Sequence, residues 1–277
     1  MIRFAKNEDF EKILALWYSS FEGSELFAQW YFENIYKPEN TLVFEENGSI
    51  CSALQRLPNE IKNIGQVTYI FGACTHPDYR KKGLMAKLLE YSEKLDKEND
   101  IKASVLIPQE KSLFDYYKNF GYSAEFSIFS KKYIKQNPKT HSYNFSECKV
   151  TELYRLNELY EKDLIGTNFV VRDNFYWDKQ FSMFNFLDGN IFCLKLEQEI
   201  VGYAFSWKDE EAFIQELVGL NNDIKKILCF EIMKHFNVNE INAFSLTGNL
   251  SRQDFGCIKL YEPAKNDLPF AMNLMFN

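Results

Sequence analysis

Between an apolar stretch and an amphipathic one the chain reads CTHPDYRKKGLMAKLL, which sets Arg80, Lys81, Lys82 and Gly83 side by side. Where a strand ends at Thr75 and a helix opens at Leu84, such a turn is an anion site. The first helical amides, those of Leu84, Met85 and Ala86, point outward at the positive end of the helix dipole. Gly83 lets backbone approach an oxyanion closely, and the three cations complete a cradle for a group as charged as a pyrophosphate. A basic helix start is also common as plain solvated surface, so charge alone does not decide the reading. Other phosphate-binding patterns are absent: there is no G-x-x-x-x-G-K-[ST], and no G-x-G-x-x-G follows the first strand. Cys74, just before the turn, invites a nucleophilic reading, but no Cys/His/Asn constellation surrounds it, and cysteine in a strand is usually small core filler.

The elements that must position this turn are legible from periodicity. A short strand (2–5) precedes a helix over 9–21 with Asn7 as its cap and a second helix over 24–36 that Pro38 ends. Two β-rich arms then flank Asn47-Gly48, a strong hairpin signal. QVTYIFGACT (66–75) reads as a buried strand, LMAKLLEYSEKLDKE as a helix, IKASVLIP as a strand, KSLFDYYKNFG as a short helix and YSAEFSIFSKKYI as a closing strand pair. This order is mixed α/β. Composition turns polar over 136–147, which reads as a linker between domains at 1–135 and 148–277. The second part partly repeats the first, with a hairpin (NIFCLKLEQEIVGYAFSW), a strand (EAFIQELVGL), a helix (IKKILCFEIMKHF) and a strand (INAFSLTG).

Bulk properties narrow the partners. With 277 residues, 46% hydrophobic and 26% charged, the chain is an ordinary globular sequence long enough for two domains. Its net charge of -7 argues against broad contact with nucleic acid. No apolar run is long enough to span a membrane, and the amphipathic start lacks a signal-peptide core, so a cytoplasmic, membrane-free protein is expected. The six cysteines include no C-x-x-C pair and the three histidines stand apart, so no metal site is expected.

Strand, P-x-x-R-x-x-G, helix resembles the acyl-CoA-binding motif of the GCN5-related N-acetyltransferase (GNAT) superfamily, whose pattern is R/Q-x-x-G-x-G/A. Pro77, Arg80 and Gly83 match; Met85 departs, standing where Gly or Ala is usual. A bulky residue there is similar to the enhanced-intracellular-survival branch. SLFDYYKNFGY resembles the family's F-Y-x-x-x-G-F segment, with Tyr117 on its tyrosine. The likeness is close over 75–122 and looser elsewhere; GTNFVVRDNFYWDKQ and EIVGYAFSW resemble that branch's middle domain.

The resemblance implies tandem GNAT-like domains in an α/β fold with a mixed sheet, the second domain degenerate and contributing to the acceptor pocket. It implies an N-acetyltransferase that moves an acetyl group from acetyl-CoA to a primary amine of a small molecule or peptide by direct attack on the thioester. Backbone at Ala73, Cys74 and Thr75 would hold pantetheine and polarise the carbonyl, Arg80 to Ala86 would hold the pyrophosphate, and Tyr117 would protonate the leaving thiolate, with Tyr116 and Tyr122 as rival donors. The strand carries no carboxylate base; by analogy with the branch the C-terminal carboxylate of Asn277 is a candidate, although the relatives' sterol-carrier-like third domain has no room in this chain. A water chain, or an amine bound already neutral, would serve as well. In the second part LNNDIKK replaces the cradle, and Asp223 would oppose phosphate, so no second coenzyme site is expected. The missing base leaves a non-catalytic acyl-CoA-binding or regulatory protein as the alternative, and a homo-oligomer is compatible with either.

Overall fold

A computed structural model of the chain describes residues 1–138, 143–248 and 251–273. In chain order the elements are β1 (Ile2–Phe4), α1 (Phe10–Tyr18), α2 (Glu25–Asn34), β2 (Thr41–Glu46), β3 (Ser49–Ile61), β4 (Gly65–Thr75), α3 (Leu84–Glu98), β5 (Ala103–Leu106), α4 (Lys111–Lys118) and β6 (Ser123–Ile134). They continue with β7 (Tyr143–Glu147), α5 (Leu153–Asp163), β8 (Asn168–Phe169), α6 (Asn174–Phe186), β9 (Asn190–Leu196), β10 (Glu199–Lys208), β11 (Ala212–Gly219), α7 (Asn222–Phe236), β12 (Glu240–Ser245), β13 (Ser251–Leu260) and β14 (Phe270–Ala271). The chain forms two compact units: Met1–Phe126 with Phe255–Asp267, and Ser127–Asp254 with the segment beginning at Leu268.

In the first unit β1, β2, β3 and β4 are antiparallel neighbours, β5 runs parallel to β4, and β13 closes the order antiparallel to β5, with Cys257 opposite Leu106. The hairpin between β2 and β3 turns at Asn47 and Gly48, both at positive φ, as an Asn-Gly turn requires. One core is made where Leu88 and Leu89 of α3 meet Leu42, Leu54, Ile70, Leu106, Tyr117, Tyr122 and Cys257. Elsewhere Trp17 of α1 stacks on Tyr31 of α2, and Tyr31 packs on Phe71 of β4 at 4.8 Å between ring centroids. Asp96 of α3 is fully buried, which a carboxylate tolerates only when paired and hydrogen-bonded. Arg56 ion-pairs with it, and Thr68 Oγ1 and Tyr261 Oη each donate to it at 2.6 Å. Tyr261 belongs to the returning segment and so anchors 255–267 in this unit.

The second unit repeats the order: β7, β9, β10 and β11 are antiparallel neighbours, β12 is parallel to β11, and β6 from Ser127 onward lies antiparallel to β12. Its core lies between α7 (Ile224, Leu228, Ile232) and the strands (Leu194, Ala204, Ile214, Ile241). Arg172 and Glu216, both without solvent exposure, pair through two contacts at 2.6 and 2.7 Å, and Tyr203 Oη donates to the same carboxylate.

Three readings from sequence differ from this fold. The expected strand pair YSAEFSIFSKKYI is one strand, β6, because it contains no Gly, Pro, Asn or Asp to turn the chain. Residues 143–147, read as linker, form β7, in which Tyr143 and Phe145 alternate with polar residues. Asn7 does not cap the first helix; a 3-10 turn (Asn7–Asp9) precedes it, and the Lys6 amide donates to the Asp9 carboxylate at 2.8 Å. The units are also not contiguous stretches like the expected 1–135 and 148–277, since the strand beside β5 comes from residues 255–260 and the strand beside β12 from 127–134.

Candidate active site

The site is built where β4 outruns its parallel neighbour. Pairing with β5 stops at Ile70 opposite Leu106, while β4 continues to Thr75. On its other side the register with β3 slips, so that Gly72 and Ala73 together face Leu54 in a bulge. Gly72 sits at φ +56°, and a Cβ there would lie 2.6 Å from the Trp17 indole; only glycine fits. The bulge and the missing neighbour leave the backbone of Ala73, Cys74 and Thr75 along an open edge. Ser52 Oγ donates to Cys74 O at 2.9 Å and lies 2.8 Å from Thr75 Oγ1, which fixes the end of the strand from the β3 side.

The turn after β4 is a 3-10 turn (Pro77–Tyr79), followed by Arg80, Lys81 at φ +62° and Gly83 at φ +72°. Gly83 is the cap of α3 and brings no side chain to the first-turn amides of Leu84, Met85 and Ala86. Arg80 Nε donates to Thr75 O at 3.2 Å, and Lys82 Nζ lies 4.5 Å from the Tyr79 ring centroid. Among the described ion pairs none takes Arg80, Lys81 or Lys82; the only pair in this turn is His76 with Asp78. Cations and first-turn amides thus stand together at this turn. Met85, the departure from the motif, is half-buried and packs its side chain toward the core, leaving its amide in the first turn.

Tyr117 comes from α4 and is buried in the core that α3 covers. Burial holds its phenol well above the usual tyrosine range, with Tyr116, Cys257 and Cys74 adding smaller effects of the same sign. Tyr122 is also buried, but its hydroxyl is engaged with Ser104 Oγ at 2.7 Å, and Tyr116 is partly exposed. Burial likewise pushes the Cys74 thiol up to about 12, against smaller opposing effects from Ser20, the Ala53 backbone and Arg80. A thiol so raised is a poor nucleophile at neutral pH. Asn277 lies outside the described residues.

Residues 1–124 match the family described as the acetyltransferase (GNAT) domain. That stretch, a little under half of the chain, is similar to this domain family. No curated protein matches the chain. Among solved structures it is similar to a conserved protein of Enterococcus faecalis V583 described as a probable N-acyltransferase (15% identity, TM-score 0.74, covering 94% of this chain and 72% of that one). It is also similar to Eis1 from Mycobacterium abscessus (12% identity, TM-score 0.68, 94% and 73%) and to a tandem GNAT protein from the clavulanic acid biosynthesis pathway (11% identity, TM-score 0.58, 96% and 100%). At these identities the likeness is one of fold. The matched stretch spans β1 to α4, and the tandem comparison agrees with the repeated strand order of the second unit.

What the sequence did not reveal at the candidate site is the bulge and its packing. A lone glycine inside a strand pattern, Gly72, was the available signal. Ser52, Ser20 and Tyr261 carried none, because each acts through a neighbour distant in sequence.

Proposed function

We propose that this protein is an N-acetyltransferase that binds acetyl-CoA on its first unit and passes the acetyl group to a primary amine of a small molecule or peptide, in the cytoplasm. The observation that carries the reading is the Gly83-capped start of α3, whose amides meet no capping side chain and stand beside three cations with no described carboxylate partner. Anionic phosphates suit that place by charge and by hydrogen bonding. The coenzyme supplies an acyl group activated as a thioester. The open edge of β4 at Ala73 to Thr75 would orient the thioester and offer amides to its carbonyl oxygen. The amine attacks the carbonyl carbon, the C–N bond forms and the C–S bond breaks. Tyr117 gives its proton to the departing sulfur, and the proton that the attacking amine loses passes to solvent, from which the tyrosinate takes one back. A phenol held in its neutral form by burial keeps that proton across the neutral range. The raised thiol of Cys74 favours direct attack over an acyl-enzyme.

The test uses the full chain with acetyl-CoA and a panel of amines, following thiol release and thermal shift together. Release with at least one amine, and loss of the coenzyme-induced shift in Gly83→Asp, are expected; aspartate tolerates the positive φ of this position better than most residues and adds charge where phosphate would sit. A folded Gly83→Asp protein stabilised as well as the parent would put the coenzyme elsewhere. A coenzyme-dependent shift with no release from any amine would leave the non-catalytic acyl-CoA-binding reading.

A further inference from the structure

The fold joins residues that the sequence keeps apart in the second unit. Cys148 follows β7, Glu152 lies in the 3-10 turn that leads into α5, and Cys193 lies on β9. Pairing of β7 with β9 sets Ser146 opposite Cys193, and the Cys148 amide donates to Ile191 O at 2.7 Å, which brings the two thiols to the same place. Both sulfurs and a Glu152 carboxylate oxygen lie within 4.8 Å of one another, with Cys193 Sγ 3.9 Å from Glu152 Oε2. We infer that Cys148, Cys193 and Glu152 form a binding site for one thiophilic divalent cation of the zinc class.

The geometry is close to what such an ion needs. With Zn–S of about 2.3 Å and Zn–O of about 2.0–2.2 Å, tetrahedral ligands stand roughly 3.5–3.8 Å apart. The observed spacing reaches that with movements of a few tenths of an ångström to about one ångström. Glu152 is already held as an outer partner would hold a ligating carboxylate: Lys195 Nζ pairs with Oε1 at 2.5 Å, and the Lys149 amide donates to Oε2 at 2.9 Å. Lys195 does not exclude a cation, because charge balances in both states. Empty, the site has two neutral thiols and a carboxylate paired with an ammonium. Filled, two thiolates offset the metal's two charges, the carboxylate and ammonium still cancel, and two protons leave to solvent. Cys193 is buried and Cys148 is partly exposed, which gives the ion a way in and leaves its fourth position to water. A simple disulfide pair would give the glutamate no part; a cation uses all three groups. The filled site would tie the end of β7 and the start of α5 to β9.

The experiment is a titration of the full chain, kept reduced by a phosphine, with cobalt(II) followed by the thiolate-to-metal charge-transfer absorption, then displacement by zinc. One ion per chain and release of about two protons per zinc are expected. Cys148→Ser should weaken binding by more than roughly 100-fold, beyond the 10- to 100-fold typical of an outer partner, which is the loss expected for Lys195→Met. Cys257→Ser, in the first unit, should leave the titration unchanged. Because Cys193 is deep in the sheet, Cys193→Ser is read only where its melting curve shows a folded protein. No charge-transfer band, or a band that survives Cys148→Ser in full, would overturn the inference.

Discussion

Both units run from a strand into a helix and make the join differently: residues 76–83 separate β4 from α3, whereas only Leu220 and Asn221 separate β11 from α7. α3 starts after Gly83, which has no side chain, whereas α7 starts after Asn221, whose Oδ1 accepts from the amides of Asp223 and Ile224 at 3.0 Å each. The capped helix has satisfied amides of its own first turn; the uncapped one has no side chain doing so. Asp223, the residue that the sequence pointed to, is exposed and ion-paired with Lys226, so charge is the smaller part of the difference. The units differ again after the parallel strand. The first continues from β5 into α4, which carries Tyr117, while β12 and β13 have no helix between them among the described residues. The groups proposed to hold phosphate and to donate a proton therefore both belong to the first unit, and the units differ there by a cap and a connection within a shared strand order.

The largest expected effect falls on the unit with no cradle. There a buried ion pair, Arg172 with Glu216, takes up core space, and Arg172→Met leaves the carboxylate buried without its partner. Breaking such a pair typically costs about 3–5 kcal/mol. Chemical denaturation should reveal a destabilised protein; a change below about 1 kcal/mol would mean that Tyr203 and Asn273 suffice to hold Glu216.

Tyr117→Phe should lower turnover by roughly 10²- to 10⁴-fold while the melting temperature and the coenzyme-induced shift stay near parental, since the ring and its packing remain. More than about a third of parental turnover, with chemistry shown to be rate-limiting, would remove Tyr117 from the role of acid and make Tyr116 the next candidate. The smallest effect is Asn221→Ala. It should cost about 1 kcal/mol of stability and leave acetyl-CoA binding unchanged, whereas the Gly83→Asp variant has the opposite profile.

The residues proposed for the cradle were legible because they are consecutive: Arg80 to Ala86 lie on one turn, and a strand-to-helix switch is a local signal. Tyr117 was legible for the same reason, through a short segment of one helix. The parts that were not legible depend on pairings across the chain. Residues 255–260 are largely apolar but carry no sign that their partner is β5, some 150 residues upstream. The buried Asp96 looks like an ordinary charged helix position until Arg56, Thr68 and Tyr261 surround it. The cap at Asn221 is visible in LNNDIKK only once the helix start is known, and the thiols of Cys148 and Cys193 meet only when β7 pairs with β9.

The central claim is that one unit binds the coenzyme and the other does not, and calorimetric titration of the full chain with acetyl-CoA tests it most directly. One site per chain, abolished in Gly83→Asp and untouched in Asn221→Ala, is the predicted result. Two equivalent sites per chain, or one site that survives Gly83→Asp and is lost on changing α7, would contradict it.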